Sequence, residues 1–220
     1  MKLKNNKHGM ETKIMDHEDT LSMFSRVVAI SRYVSIIAGF LVCSIPSHPV
    51  HASDVTIRPE RVLSVVTADW NGDGSFDRAI LITSEAEPDQ ADLLVYLSDA
   101  SDTMRLAVSR RNIAWRGAMW GTQPALEITG RGSLIITSAN EAVGRNRWTQ
   151  KLTVVYRNKE FIVAGYTYSD YDTLAPGSST NCDINYLSGK GARNNKSFRT
   201  SAKAVALKDW SEASIPHECR

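Results

Sequence analysis

The feature that most constrains the fold is a run of polar residues and glycines set between two β-branched stretches. From Asp69 to Asp77 the chain reads Asp-Trp-Asn-Gly-Asp-Gly-Ser-Phe-Asp, a D-x-N-x-D-G-x-x-D pattern. Val62–Ala68 before it and Ala79–Thr83 after it are short and rich in Val, Ile and Thr, which predicts strands and makes the polar run the loop that joins them. A hard cation such as Ca²⁺ takes about 6–8 oxygens at ~2.3–2.6 Å. This spacing offers it the side chains of Asp69, Asn71, Asp73 and Asp77, with the backbone carbonyl of Ser75 between the last two. Gly74 stands where the turn is sharpest, in a conformation that glycine adopts cheaply. The position at which an EF-hand carries its closing glutamate is Ile80, so the loop is not an EF-hand. The expected role of the ion is to stiffen a turn. The plainer reading is an Asx-rich turn without metal, since Asp, Asn and Gly dominate turns in any case.

On these residues the segment Val65–Ile82 resembles the calcium loops of FG-GAP and VCBS-type repeats, which occur in integrin-like propellers and bacterial surface proteins. The resemblance implies a calcium-binding β structure.

The N-terminal region predicts export. Arg26 and Arg32 give a basic start, Tyr33 to Cys43 an apolar stretch, and Val50-His51-Ala52 a small-residue cleavage site. Residues 1–52 are therefore expected to be an N-terminal extension and signal peptide, with a secreted β domain at 53–220. The apolar stretch is shorter than the ~20 residues a permanent span needs, so no stable membrane span is expected after cleavage, and the expected location is periplasmic or secreted. Cys43 lacks the small preceding residue of a lipidation site.

Cleavage after Ala52 would leave a chain the size of one domain, too small for a seven-bladed propeller. The whole chain has 26 Lys and Arg against 24 Asp and Glu. Residues 1–52 hold six of the basic and four of the acidic residues, so the exported part has a formal charge of zero. No global field then steers it toward nucleic acid, and no nucleic-acid partner is expected. Of the three cysteines only Cys182 and Cys219 lie beyond the signal segment. An oxidising compartment favours pairing them, which would tie the C-terminal tail to the domain.

Apolar or alternating runs recur along the rest of the chain at 92–97, 106–108, 125–129, 133–137, 148–156, 161–168 and 183–187. Compact polar turns separate them at 87–89, 130–132, 143–146 and 157–159. No long window has helical periodicity; one short helix is expected within 201–213. The fold class is mostly β, a compact antiparallel meander, stacked sheets or an abbreviated propeller-like domain.

Catalytic equipment is sparse. Four of the five histidines fall in the signal region, leaving His217, and nucleophile systems and zinc centres both need more than one isolated imidazole. Phosphate-binding and dinucleotide fingerprints are absent from the sequence. No catalytic residue is assigned, and a binding protein is expected in place of an enzyme.

The second informative stretch runs from Tyr166 to Ala204. It is dense in Tyr, Ser, Asn and Gly, the residues of recognition loops. Lys190, Arg193, Lys196, Arg199 and Lys203 follow with no acid between Asp183 and Asp209. A secreted β domain with a calcium loop, a disulfide and this loop resembles the periplasmic lysozyme inhibitors and immunity proteins. That resemblance implies a Ser-Gly pair pushed into the acidic cleft of a cell-wall muramidase. Ser188 and Gly189 match the pair; Tyr186, Lys190 and Arg193 are the expected flanking contacts. The alternative is a calcium-stabilised adhesion or carbohydrate-binding module in which Trp115, Trp120 and Trp148 stack on cell-wall glycan. For each of these tryptophans the plainer expectation is a place in the core.

Overall fold

The computed structural model describes residues 56–101, 103–175 and 177–220. The proposed signal peptide, its cleavage site and the new N-terminus at Ser53 lie outside them.

The chain forms two antiparallel sheets in meander order. The first holds β1 (Val62–Ala68), β2 (Asp77–Thr83), β3 (Gln90–Ser98) and β4 (Met104–Trp115), each paired with the next. The second runs through β5 (Ala125–Ile128), β6 (Leu134–Asn140), β7 (Asn146–Arg157), β8 (Glu160–Asp172), β9 (Ser179–Asn185), β10 (Lys190–Arg193) and β11 (Lys196–Arg199) in the same sequential manner. A two-residue strand, β12 (Val205–Ala206), pairs with the first part of β8. Of the architectures the sequence left open, stacked sheets in a meander is the one adopted, and the described strands close no barrel.

Alternation along the strands explains the stacking. In β7, Leu152 and Val154 are buried while Lys151 and Arg157 are exposed; in β9, Cys182 and Ile184 are buried between exposed neighbours. Residues from both sheets, among them Leu81, Leu93, Val95, Leu134, Ile136, Val154 and Phe161, form one apolar core. β2 and β3 are more continuously apolar than a half-exposed strand, as their central place in the first sheet requires. The sheets also meet edge to edge, where the Leu126 N–H donates to Ser64 Oγ at 3.0 Å.

Two hairpin turns are set by asparagine. Asn158 and Lys159 have φ of 52° and 64°, and Asn194 and Asn195 have 46° and 65°, the paired positive φ of a two-residue turn that matches strand twist. The first was legible as a turn. The second converts what reads as the continuation of a long recognition loop into the β10–β11 hairpin. The expected short helix is replaced by single 3₁₀ turns at Leu207–Asp209 and Glu212–Ser214, which seat Leu207, Trp210 and Ile215 against the core. Among the described residues no helix is long and apolar enough to cross a membrane.

Candidate functional site

The Asp69–Asp77 loop connects β1 and β2 as the flanking runs require. Its side chains are engaged with its own backbone. Asp69 Oδ1 accepts the N–H groups of Gly72 at 2.7 Å and Asp73 at 3.1 Å, and its Oδ2 accepts that of Gly74 at 2.9 Å. Asn71 Oδ1 accepts the Asp73 N–H, its amide donates to Asp73 Oδ2 at 2.7 Å, and Asp73 Oδ1 accepts the Ser75 N–H. The Ser75 N–H, followed by the Asn71 amide, holds the Asp73 carboxyl below the ordinary aspartate range. Gly72 and Gly74 have φ of 75° and 88°, so the loop's curvature depends on glycine at both.

Asp77 differs from the other three. It is fully buried, with Oδ2 accepting the Trp70 N–H at 2.8 Å and Oδ1 the Ser98 N–H at 2.9 Å. It therefore ties the end of β1 to the end of β3 across β2. The loop is fastened to the second sheet as well: the Trp70 indole donates to the Gly132 carbonyl at 3.0 Å and its ring meets Phe161 edge-on at 5.7 Å. The donor set of three carboxylates, one amide and one carbonyl suits a hard oxygen-seeking cation. As placed, no group of three acidic, histidine or cysteine side chains among the described residues is assembled to hold a metal. An ion entering the loop would exchange N–H bonds for coordination.

The predicted partner-binding residues are divided by the fold. Ser188 and Gly189 lie at the tip of the β9–β10 connection, where Asn185 Oδ1 accepts the Ser188 N–H at 3.0 Å and Gly189 has φ of 64°. Lys190 is exposed at the start of β10. Tyr186 is not a surface contact: it is 3% exposed, its ring meets Trp210 at 6.0 Å, and burial raises the pKa of its phenol. The alternation that buries Cys182 and Ile184 continues to Tyr186 and turns it inward. Arg193 is also committed, donating through Nη1 to the carbonyls of Glu218 at 3.0 Å and Arg220 at 3.1 Å.

The hairpin's register shows what the sequence did not. Lys190 pairs across the strands with Arg199, and Arg193 with Lys196. Like charges directly opposite one another disfavour strand pairing. The side chains of Lys190, Lys196 and Arg199 have no hydrogen-bond or ion-pair partner among the described residues. Arg199 and Lys196 thus join the candidate surface. The Asn194-Asn195 turn was the sequence signal for this register.

Cys182 and Cys219 form a disulfide with Cα atoms 5.6 Å apart, holding the tail against β9. His217 is exposed beside Glu218, its Nδ1 3.2 Å from Oε2. The three tryptophans of the sugar-stacking alternative take two different places. Trp115 and Trp148 are half-buried with ring centroids 5.5 Å apart. Trp120, expected in the core, is 95% exposed, because it lies in the irregular segment between β4 and β5, outside the strand alternation that turns apolar side chains inward.

No protein-family model, curated protein or solved structure matches the chain.

Proposed function

We propose that this chain is an exported binding protein that presents the β10–β11 hairpin at the edge of its second sheet to an acidic cleft, and that the partner is a cell-wall muramidase. The observation that carries the reading is the Lys190–Arg199 cross-strand pair beside the Ser188-Gly189 tip. A like-charge pair on an exposed hairpin costs it stability, and neither side chain makes an ion pair among the described residues. An anionic partner would convert that cost into charge-assisted hydrogen bonds. Muramidases hydrolyse glycosidic bonds with carboxylates in a cleft, which a basic tip would complement in charge. Arg193 supports the site indirectly by pinning the hairpin to the tail, and Tyr186 does so from the core.

A calcium ion held by Asp69, Asn71, Asp73, Asp77 and the Ser75 carbonyl belongs to the same proposal, as a stiffener of the β1–β2 turn. The test is inhibition of a panel of muramidases by the exported protein. The Lys190→Ala/Arg199→Ala variant should bind at least ~2 kcal/mol more weakly where either side chain pairs with a buried carboxylate, because the abandoned charge keeps its desolvation cost. Full inhibition by that variant would move the surface elsewhere. Absence of inhibition across the panel, with retention on cell-wall glycan, would favour carbohydrate recognition instead.

A further inference from the structure

We propose that the cleft between β4, β7 and the C-terminal segment is a binding site for a neutral saccharide. It lies apart from the basic hairpin tip and does not depend on the muramidase reading. Its volume is about 480 Å³, within the ordinary range of ligand sites. Trp115 and Trp148 line one side, their rings inclined at 51°. With centroids 5.5 Å apart the two rings pack on one another and together present one aromatic wall, against which the C–H face of a pyranose ring can pack.

Gln90, Gln150 and Glu212 also line the cleft, and their side chains make no hydrogen bond or ion pair among the described residues. The indole N–H groups of Trp115 and Trp148 are likewise unpartnered there. Aromatic walls with a few unengaged, planar polar groups are the composition of a small-molecule site. Two amides offer neutral donors and acceptors in pairs, as vicinal hydroxyls require.

The charges narrow the ligand class. Arg110 is the guanidinium in the cleft, and it is engaged: Nε and Nη2 donate to the Trp210 carbonyl, with the Nε distance 3.2 Å, and Nη1 donates to the Arg111 carbonyl at 2.8 Å. It clamps the C-terminal wall and leaves no free cation for a phosphate or carboxylate ligand. The same guanidinium disfavours a cationic guest, and the Glu212 carboxylate in the same lining disfavours an anionic one. A neutral, hydroxyl-rich ligand meets both conditions.

The experiment is a titration of the exported protein with chitotetraose, and in parallel with cellotetraose, followed by tryptophan emission and calorimetry. Saturable binding of at least one is expected, with a dissociation constant between about 10 µM and 1 mM. Gln150→Leu, which keeps the side chain's bulk and removes its amide, should weaken it about tenfold, and Trp148→Ala at least as much. Trp120→Ala and Lys190→Ala/Arg199→Ala should bind as wild type. No saturable signal with either sugar by about 10 mM, which lies beyond millimolar affinity, overturns the proposal. So does unchanged binding by Gln150→Leu, or saturation by choline in place of the sugars.

Discussion

Replacing Asp77 with alanine should destabilise the protein in the absence of any metal. Its carboxylate receives two backbone N–H groups, from Trp70 and Ser98, inside a fully buried environment. Alanine would leave both donors without an acceptor, and an unsatisfied buried donor costs about 1–3 kcal/mol. The Ser98 N–H is the more deeply buried and takes the upper figure; the Trp70 N–H is nearer water and takes the lower. The sum is roughly 4 kcal/mol. With a urea m value near ~2 kcal/mol/M, the unfolding midpoint should fall by about 2 M in chelator. Asp77→Asn keeps one oxygen acceptor and should fall between alanine and wild type. Asp69→Ala is the contrast: its N–H partners lie in an exposed turn where water replaces the carboxylate, so its midpoint in chelator should stay near wild type. Calcium at ~100-fold excess over its Kd should add about 2.7 kcal/mol to wild type, and Asp69→Ala or Asp73→Ala should remove that gain. An Asp77→Ala midpoint within about 0.3 M of wild type in chelator, a small fraction of the shift expected from an ordinary m value, would refute the staple. No calcium effect on wild type would leave the loop a metal-free turn.

Reducing the Cys182–Cys219 bond, which spans a sequence separation of 37, should lower stability by about 4 kcal/mol on the loop-entropy relation. Limited proteolysis should then cut preferentially within 200–206, and an unchanged urea midpoint after complete reduction would contradict this. Alkaline unfolding should report the two buried phenols that flank Trp210. Burial pushes Tyr166 up to about 12 and raises Tyr186 too. A raised folded-state pKa means their contribution is complete below the ordinary tyrosine value near ~10 and is lost as pH rises toward about 12. Tyr166→Phe should flatten the urea midpoint over that interval, and an undiminished pH dependence would assign the transition to other groups.

Strand positions were largely legible in the sequence because alternation is a local property: Val62–Ala68, 148–156 and 161–168 fall on observed strands, and 125–129 overruns β5 by one residue. The same local chemistry marked the Asp69–Asp77 turn and, on the expectation of export, the cysteine pair. Pairing register and side-chain direction depend largely on distant neighbours, and outside the tight turns the sequence did not carry them. Asp77 reads as one more oxygen in a loop, and only the approach of Ser98 on β3 makes it a buried staple. Tyr186 belongs to a recognition-rich stretch, yet the parity of β9 turns it under Trp210. Lys190 and Arg199 are nine positions apart in sequence and become opposite neighbours only because Asn194 and Asn195 reverse the chain. Trp115 and Trp148 meet because the sheets stack, while Trp120, between strands, is left in solvent. Local propensity determines which residues extend and turn; packing of two faces determines which atoms of those residues meet, and with them the candidate sites.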